Sequence, residues 1–394
     1  MRSDRNLRVV LLAVLCLTAA AGASAADLRE RVATEIESVM PEVVAWRHDI
    51  HQHPELSNRE VRTAEMVAEH LRSLGLDDVR TGVAHTGVVG LLIGGKPGPT
   101  VALRADMDAL PVTERTGLPF ASTARATFNG QEVGVMHACG HDAHVSILMG
   151  VASALAAVRD EIPGSVKFVF QPAEEGPPQG EEGGADMMIA EGALADPAPE
   201  AIFGLHVWPG PPGWIGYREE GSLAAADELF ITVTGRQTHG SSPWMGIDPI
   251  IAAAHVMVAL QSLPSRQLDV TRAPAVVSIG SVHGGLRGNI IPDEVEMWGT
   301  VRTFDGEMRE QFLGKIRHTA ERVAESMGAT AEVRFGGHAP VTWNDPALTR
   351  QTVPTLEWAA GEEAVSVAPR IMGAEDFSYY QKEIPGFFFF LGVN

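Results

Sequence analysis

Three side chains that bind metal ions well fall within six positions of this chain, at Cys139, His141 and His144. The only other cysteine, Cys16, lies in an N-terminal segment that we expect to be removed. A bound cation lowers the pKa of a thiol, and it takes the thiolate and neutral imidazoles as ligands. The alternative is a buried free cysteine beside surface histidines. The spacing favours a metal site over that alternative.

Two adjacent carboxylates, Glu174 and Glu175, follow the apolar run 168–170. Neighbouring side chains on a loop point in different directions, so one can bind a metal while the other faces a water. A metal lowers the pKa of that water, and a nearby carboxylate can take its proton as general base. The alternative is an acidic surface turn, which is our interpretation of Glu181 and Glu182. The position at a strand end favours a catalytic pair.

Asp106 and Asp108 form a second acidic pair, spaced so that both side chains share one face if the preceding strand continues. One carboxylate could approach a metal while the other orients a ligand. Capping of the following turn explains the pair equally well. His206 follows the apolar run 202–205, where a lone histidine is more often packed and hydrogen-bonded.

Two further groups of histidines have weaker signals. His239 precedes a glycine and two serines, which would let a substrate approach, although a surface loop is the simpler explanation. His48, His51 and His53 resemble a metal cluster on paper, but Pro54 ends the helix that carries them. We therefore assign these three mainly a structural role.

The elements that hold these residues follow from hydrophobic periodicity. Helical spacing covers residues 27–51, 60–74, 143–159 and 345–360, and short apolar runs predict strands at 88–93, 100–104, 165–170, 201–205 and 387–391. This alternation predicts an α/β fold, a mostly parallel sheet with helices on both faces. Ligands of such sheets bind at the carboxyl ends of the strands, so we expect the polar clusters to converge there.

A different order of elements begins near Asp227. Strands are predicted at 227–235, 275–282, 294–303 and 330–335, with helices at 248–263 and 306–327. This β-α-β-β-α-β order indicates a ferredoxin-like α+β unit inserted into the larger domain. The roughly 370 residues that follow the N-terminal segment are also long for one core. We predict a catalytic domain at 26–226, an inserted domain at 227–338 and a return segment at 339–394.

The N-terminus has the pattern of a signal peptide, residues 1–25. An apolar stretch at 9–17 follows the positively charged Arg2, Arg5 and Arg8. A cleavage site is matched by Ala23-Ser24-Ala25. We expect an exported protein, periplasmic or secreted, without a membrane anchor, because no later segment is apolar enough to span a bilayer. The net charge of −20 argues against nucleic acids and anionic membranes as partners.

Taken together, the motifs resemble the di-metal aminoacylase and carboxypeptidase superfamily. The closest resemblance is to its branch of hippurate hydrolases, auxin-conjugate hydrolases and other N-acyl-amino-acid amidohydrolases. The matching segments occur in family order at residues 47–56, 104–111, 137–144, 171–176, 204–209, 239–243, 288–292 and 372–377.

The resemblance implies a role for each matching residue. The implied metal ligands are Cys139, His141, Glu175 and His206. Glu174 matches the general base, and Asp108 matches a carboxylate that supports the metals, with Asp106 beside it. His239 matches a lid histidine that stabilises the oxyanion, and Asn289 would lie near the substrate carboxylate. The resemblance also implies two divalent ions per subunit, with zinc, manganese or cobalt as candidates, and a homodimer formed through the inserted domain.

We therefore expect hydrolysis of an N-acyl amino acid to a carboxylic acid and a free amino acid. A metal-dependent dipeptidase or carboxypeptidase is the first alternative. Family members carry a further metal-binding histidine beyond the last strand, and this sequence ends at Asn394, just after that strand. A non-catalytic ligand-binding homologue is therefore the second alternative.

Overall fold

The computed structural model describes residues 22–394, with side chains from Asp27 onward except that of His338. Most of the predicted signal peptide lies outside this range. Within it, no helix combines the length and hydrophobicity that crossing a membrane requires. The α-helices, in chain order, are α1 (Gly22–Gln52), α2 (Val61–Ser73), α3 (His141–Ala157), α4 (Gly184–Ala190), α5 (Pro249–Arg266), α6 (Gly306–Ser326), α7 (Pro346–Ala360) and α8 (Tyr380–Glu383).

The strands follow the same numbering along the described chain. They are β1 (Asp78–Val83), β2 (Gly87–Ile93), β3 (Lys96–Asp106), β4 (Arg125–Phe128), β5 (Gln131–Gly134), β6 (Pro163–Gln171), β7 (Ala201–Pro209), β8 (Ile215–Tyr217), β9 (Glu220–Leu223), β10 (Ala225–Thr234), β11 (Thr238–His239), β12 (Ala275–His283), β13 (Ile290–Ile291), β14 (Glu294–Thr303), β15 (Thr330–Ala339), β16 (Thr342–Asn344), β17 (Val365–Val367) and β18 (Gly386–Val393).

The chain divides into two compact units. Unit 1 comprises the described residues up to Glu220 together with Trp343–Pro369 and Tyr379–Asn394. Unit 2 comprises Gly221–Thr342 and Arg370–Ser378. The second unit is thus slightly wider than the predicted insertion at 227–338, and it includes a short piece of the predicted return segment.

Unit 1 is built on an eight-stranded sheet in the order β1-β2-β6-β3-β7-β18-β8-β17. The central pairs β6-β3, β3-β7 and β7-β18 are parallel, while β1, β2 and the β18-β8 pair are antiparallel. Helices flank this sheet, and buried apolar side chains of α1, α2 and α3 share one core with its strands. The predicted α/β fold with a mostly parallel sheet is therefore confirmed.

The carboxyl ends of the parallel strands bring the polar clusters together. Asp106 pairs with Gln171 at the ends of β3 and β6, and Arg104 lies opposite Gly204 of β7. β7 runs four residues beyond the predicted end at Leu205, because its backbone pairs with β18 as far as Pro209. His206 consequently lies inside a strand rather than after it.

Unit 2 contains a four-stranded antiparallel sheet in the order β12-β14-β10-β15. Along β10 every second side chain is buried, including Leu229, Ile231 and Val233. These side chains share a core with apolar residues of α5 and α6. The order β10-α5-β12-β14-α6-β15 is that of a ferredoxin-like unit.

Candidate metal centre

The sulfur and imidazole groups singled out in the sequence meet in unit 1. Cys139, His141 and His206 each offer one ligand atom, and these atoms all lie within 4.8 Å of one another. The Cys139 Sγ is 3.3 Å from Nε2 of His206. Cys139 and His206 are half-buried, whereas His141 is fully buried. A thiolate and two imidazoles at this spacing can hold one divalent cation.

A backbone contact orients the imidazole of His206. Its Nδ1–H donates to the carbonyl of Val207 at 2.5 Å, so Nε2 keeps its lone pair and faces Cys139. Burial lowers the pKa of His206 to about 3. A neutral imidazole with a free Nε2 lone pair is the form that binds a metal.

His141 lies between the two ends of the site. Its Nδ1 is 3.3 Å from Oδ1 of Asp108, and its Nε2 is 3.7 Å from Oε2 of Glu174. Neither ring nitrogen has a hydrogen bond of good geometry within the described residues, although both are buried. Burial lowers the pKa of His141, but the carboxylates of Asp106 and Asp108 outweigh burial and raise it well above its ordinary value. This position therefore favours a positive charge.

A second group of ligand atoms adjoins the first and shares His141 with it. His141, Glu174 and Glu175 also place their atoms within 4.8 Å of one another. Glu174 is partly buried and Glu175 is exposed. The two overlapping groups make room for two neighbouring cations, one with the thiol and one with the carboxylates.

Gly140 makes the turn that presents Cys139 and His141 on either side of the start of α3. Its φ of +98° lies in the region that only glycine adopts readily. A Cβ on this residue would lie 2.3 Å from Cγ2 of Val207, the neighbour of His206. The sequence Cys-Gly-His is thus required by the backbone as well as by the ligands.

His144, the third residue of the motif, is committed to other partners. Its Nδ1 donates to Asp106 at 2.6 Å, and its Nε2 accepts the backbone N–H of Val207 at 2.9 Å. A backbone N–H can only donate, so Nε2 carries no proton and has no lone pair left for a metal. His144 therefore connects the backbone of β7 to the carboxylate of Asp106, and neither of its ring nitrogens is free to bind a metal.

Asp106 belongs to a buried charge network behind the centre. Nη1 of Arg104 donates to Asp106 at 2.6 Å, and Nε of Arg104 donates to Gln171 at 2.8 Å. Burial would raise the pKa of Asp106, but the nearby positive charges of His141 and Arg104 and the hydrogen bond from His144 hold it well below its ordinary value. An ionised Asp106 adds to the negative field that favours cations.

Asp108 supports the loop that carries the two glutamates. Its carboxylate accepts the backbone N–H groups of Glu174 and Glu175, each at 3.1 Å, and the hydroxyl of Ser57 at 2.8 Å. The carboxylate of Asp108 therefore binds the N–H groups of a distant loop and does not cap the turn that follows it. Asp108 connects His141 to the Glu174–Glu175 loop.

Sequence reasoning missed Ser57, which donates to Asp108, and Glu60, which binds the loop itself. Glu60 is fully buried and accepts the N–H of Ala173 at 3.0 Å. The only local signal is the Ser-x-x-Glu pattern just before α2, which is the usual sign of a helix start. Glu60 makes no side-chain cap bond to α2 within the described chain, so the pattern would have suggested the wrong role.

The histidines near the end of α1 behave as predicted for structural groups. His51 is buried, with Nδ1 2.9 Å from Asp142 and Nε2 3.3 Å from Glu114. His48 stacks on Phe120 with ring centroids 3.9 Å apart. His53 is exposed and bonds back to the carbonyl of Asp49. These contacts join α1 to the start of α3 without adding a ligand to the centre.

His239 and Asn289 lie together in unit 2. β11 pairs with β13 so that His239 is opposite Ile290, and the N–H of Gly240 donates to the Asn289 carbonyl at 2.8 Å. Nδ1 of His239 accepts the backbone N–H of Ser241 at 3.1 Å. Nδ1 is therefore the acceptor in this arrangement, and the N–H of the exposed imidazole is on Nε2. That tautomer offers an N–H donor to solvent.

The residues of the centre fit divalent cations. Thiol, imidazole and carboxylate are the common ligands of such ions. The two ring nitrogens of His141 are buried without a good hydrogen bond, which is costly unless a ligand satisfies one of them. Burial raises the pKa of the Cys139 thiol, and a cation would reverse that shift.

Comparison with known proteins agrees with this geometry. Residues 102–394 match the peptidase family M20/M25/M40. Thermostable carboxypeptidase 1 of Saccharolobus solfataricus is 39% identical over 371 residues, which cover 93% of this chain and 90% of that protein. N-acyl-L-amino acid amidohydrolase of Geobacillus stearothermophilus is 39% identical over 315 residues, which cover 79% of this chain and 81% of that protein.

A solved structure gives the same result for the fold. The YXEP protein of Bacillus subtilis, called a dinuclear metal binding peptidase from the M20 family, matches with a TM-score of 0.75 and 36% identity. The match covers 91% of this chain and 90% of that one. Fold and centre together define a metal-dependent hydrolase that cleaves amide bonds, which confirms the expectation of an enzyme. The chain belongs to the peptidase family M20/M25/M40.

Proposed function

We propose that this protein hydrolyses N-acyl amino acids, hippurate-like compounds among them, to a carboxylic acid and a free amino acid. The observation that carries the proposal is the meeting of Cys139, His141 and His206 with Glu174 and Glu175 in one centre. The amidohydrolase name of one relative supports this substrate class.

In this proposal Cys139, His141, Glu175 and His206 are the metal ligands. Two divalent ions, zinc, manganese or cobalt, would polarise the amide carbonyl and lower the pKa of a water. Asp108 supports His141, because a carboxylate beside a ligand imidazole fixes its orientation and raises its basicity.

Glu174 acts as the general base. It is partly buried and its Oε2 faces Nε2 of His141 at 3.7 Å, so its carboxylate can reach a water beside that ligand. Glu174 takes the proton of the attacking water and gives it to the leaving amide nitrogen. Asp108 keeps the carboxylate in place through the backbone N–H of Glu174.

His239 and Asn289 are proposed to act on the substrate. The Nε2–H of His239 would donate to the oxyanion that develops on the carbonyl oxygen. Asn289 would recognise the carboxylate of the amino-acid half. The close pairing of both residues in unit 2 supports a joint role.

A carboxypeptidase is the second candidate, favoured by the name of the Saccharolobus relative. Both reactions cleave an amide whose leaving group is an amino acid with a free carboxylate, so the same residues serve either one. The two candidates differ only in what occupies the acyl side of the bond.

We further propose that the chain is exported and acts as a homodimer. The N-terminal signal-peptide pattern supports export. The family resemblance supports a dimer contact through unit 2, whose exposed side chains include the apolar Ile251, Val258 and Val282.

Turnover assays on a substrate panel test the proposal. The panel contains acetyl, benzoyl, indole-acetyl and fatty-acyl amino acids, together with free and N-blocked dipeptides. The enzyme is assayed after chelation and after addition of zinc, manganese or cobalt. We expect metal-restored cleavage of N-acyl amino acids to exceed that of free dipeptides. Preference for the peptides would favour the carboxypeptidase, and metal-independent turnover would contradict the proposed chemistry.

A further inference from the structure

Glu60 is a buried carboxyl group that the proposed reaction does not use. It lies between α1 and α2 with no exposed surface. One carboxyl oxygen accepts the N–H of Ala173 at 3.0 Å, and the other accepts the hydroxyl of Thr86 at 2.5 Å. Ala173 directly precedes the Glu174–Glu175 pair. A buried carboxyl thus contacts the backbone of the catalytic loop directly before its two glutamates.

Ala173 adopts an unfavourable backbone conformation. Its φ is +53°, in the left-handed region where a Cβ is strained, and it is almost fully buried. Such a conformation persists only when the surrounding structure holds it. The Glu60 carboxyl is one of the groups that does so, because it binds the N–H of this residue.

Three successive backbone N–H groups of this loop end on two buried carboxyls. Ala173 donates to Glu60, while Glu174 and Glu175 donate to Asp108. Consecutive N–H groups around a left-handed residue form a concave anion site. Here two carboxyls of the same chain accept these N–H groups and hold the backbone from which the two glutamate side chains leave.

Burying Glu60 is costly, which argues against an incidental contact. Burial, and after it the charge of Asp108, raises the pKa of Glu60 to about 7. Two carboxyls close together in a protein interior disfavour each other. The position at the start of α2 does not explain the burial, since Glu60 makes no side-chain cap bond within the described residues.

We propose that Glu60 is a positioning residue for the general base: it holds the left-handed turn at Ala173, and that turn aims Glu174 at the centre. The proposal rests on the general-base role proposed for Glu174. Glu60 itself touches neither substrate nor metal in this account. Its effect passes through one hydrogen bond to the backbone N–H of Ala173.

Three substitutions at position 60 separate this role from a role for charge or for folding alone. Glu60→Gln keeps an acceptor of the same length for Ala173 and is neutral, and Thr86 can turn its hydroxyl to suit it. Glu60→Asp keeps the carboxyl but is one methylene shorter. Glu60→Ala removes the acceptor. Arg59→Gln is the matched control, because Arg59 pairs with Glu181 at the exposed side of the same segment.

We expect kcat to follow hydrogen-bond reach rather than charge. In Glu60→Gln it stays within about threefold of the unsubstituted enzyme, whereas in Glu60→Asp and Glu60→Ala it falls roughly 10- to 100-fold, the loss associated with a displacement of about 1 Å. KM and metal content stay unchanged in the position-60 variants. Arg59→Gln keeps the kcat, KM and metal content of the unsubstituted enzyme. A buried group needed only for its charge would give the reverse order, with Asp better than Gln, and would overturn the proposal.

A second substitution tests the strained turn directly. Glycine adopts a positive φ without the Cβ penalty, so Ala173→Gly should need the Glu60 contact less. We expect the double variant Glu60→Ala/Ala173→Gly to have a kcat several-fold higher than that of Glu60→Ala alone. No recovery, together with wild-type kcat in Glu60→Asp, would also overturn the proposal.

Amide hydrogen exchange separates failure of this inference from failure of the proposed function. The peptide covering residues 171–176 should exchange faster in Glu60→Asp and Glu60→Ala than in Glu60→Gln or Arg59→Gln. If the unsubstituted enzyme hydrolysed none of the panel, the general-base role would fail while this exchange pattern could still hold. Equal protection of the loop in all four variants would refute the positioning role, whatever the turnover.

Discussion

Replacing Gly140 by alanine tests whether the backbone between Cys139 and His141 sets the metal centre. Two separate effects act on this variant. The φ of +98° disfavours any Cβ, at a cost of about 1–2 kcal/mol. The new Cβ would also lie 2.3 Å from Cγ2 of Val207, where one of the two groups must move.

The second effect is directed at the ligands. Valine is stiff about χ1, so Val207 cannot simply rotate away, and its strand carries His206. Forced overpacking of this kind costs about 1–3 kcal/mol. The backbone N–H of Val207 also holds His144, so a shift of β7 disturbs the support of the centre. Loss of such support typically weakens metal affinity roughly 10- to 100-fold.

Gly180→Ala is the matched control. Gly180 has a φ of +85°, and a Cβ there would meet no atom within 4 Å. We expect the control to lower Tm by roughly 2–4 °C with unchanged metal affinity, and Gly140→Ala to lower Tm at least twice as far and to lose metal affinity. Metal competition titration and thermal unfolding measure both quantities. Equal Tm and wild-type metal affinity in the two variants would refute the steric argument.

Three more outcomes follow from the described contacts. The Asp142 hydrogen bond raises the pKa of His51 above 6.5, so the stabilisation by this pair is complete below that pH and is lost as pH rises through the raised pKa. The Tm gap between the unsubstituted protein and His51→Gln should therefore narrow on the alkaline side. Arg104→Met removes the guanidinium that pairs with the buried Asp106, which keeps only its hydrogen bond from His144, and should cost about 3–5 kcal/mol. His239→Ala removes the proposed oxyanion donor and should lower kcat roughly 10²- to 10³-fold with metal retained.

Each of these three outcomes has a measurement that could contradict it. A Tm gap for His51→Gln that widens from pH 6 to 9 would show that the pair stabilises the fold through the neutral imidazole. Unfolding of Arg104→Met with unchanged midpoint would mean that Asp106 is adequately held by other groups. Wild-type kcat in His239→Ala would remove that residue from the reaction.

Most of the fold could be predicted from the sequence, because the spacing of apolar residues along the chain matches the observed helices and strands. The strand at Glu294–Thr303 has the predicted ends, and most other elements differ by a few residues. β7 was predicted too short because the apolar run stops at the polar His206 and Pro209 disfavours a strand. The extra length comes from pairing with β18, a contact nearly 200 residues away that local pattern cannot show.

Part of the candidate site could also be predicted from the sequence pattern. Side chains placed at the ends of parallel strands converge by topology, so Asp106, Glu174 and His206 could be grouped in advance. Which imidazole is free to bind a metal depends on hydrogen bonds from distant backbone atoms. His144 is held by Val207, and only the structure shows that contact. Glu60 was missed because the residues beside it in the sequence do not indicate that its carboxyl group is buried.

The central claim is that Glu174 moves the proton of an amide hydrolysis supported by metals that other residues bind. The most direct measurement is turnover of an N-acyl amino acid by Glu174→Gln, with metal content determined on the same sample. The account predicts a loss of kcat of at least about 10²-fold while the metal content stays at the level of the unsubstituted enzyme. Normal turnover in a fully metal-loaded Glu174→Gln enzyme would contradict the account.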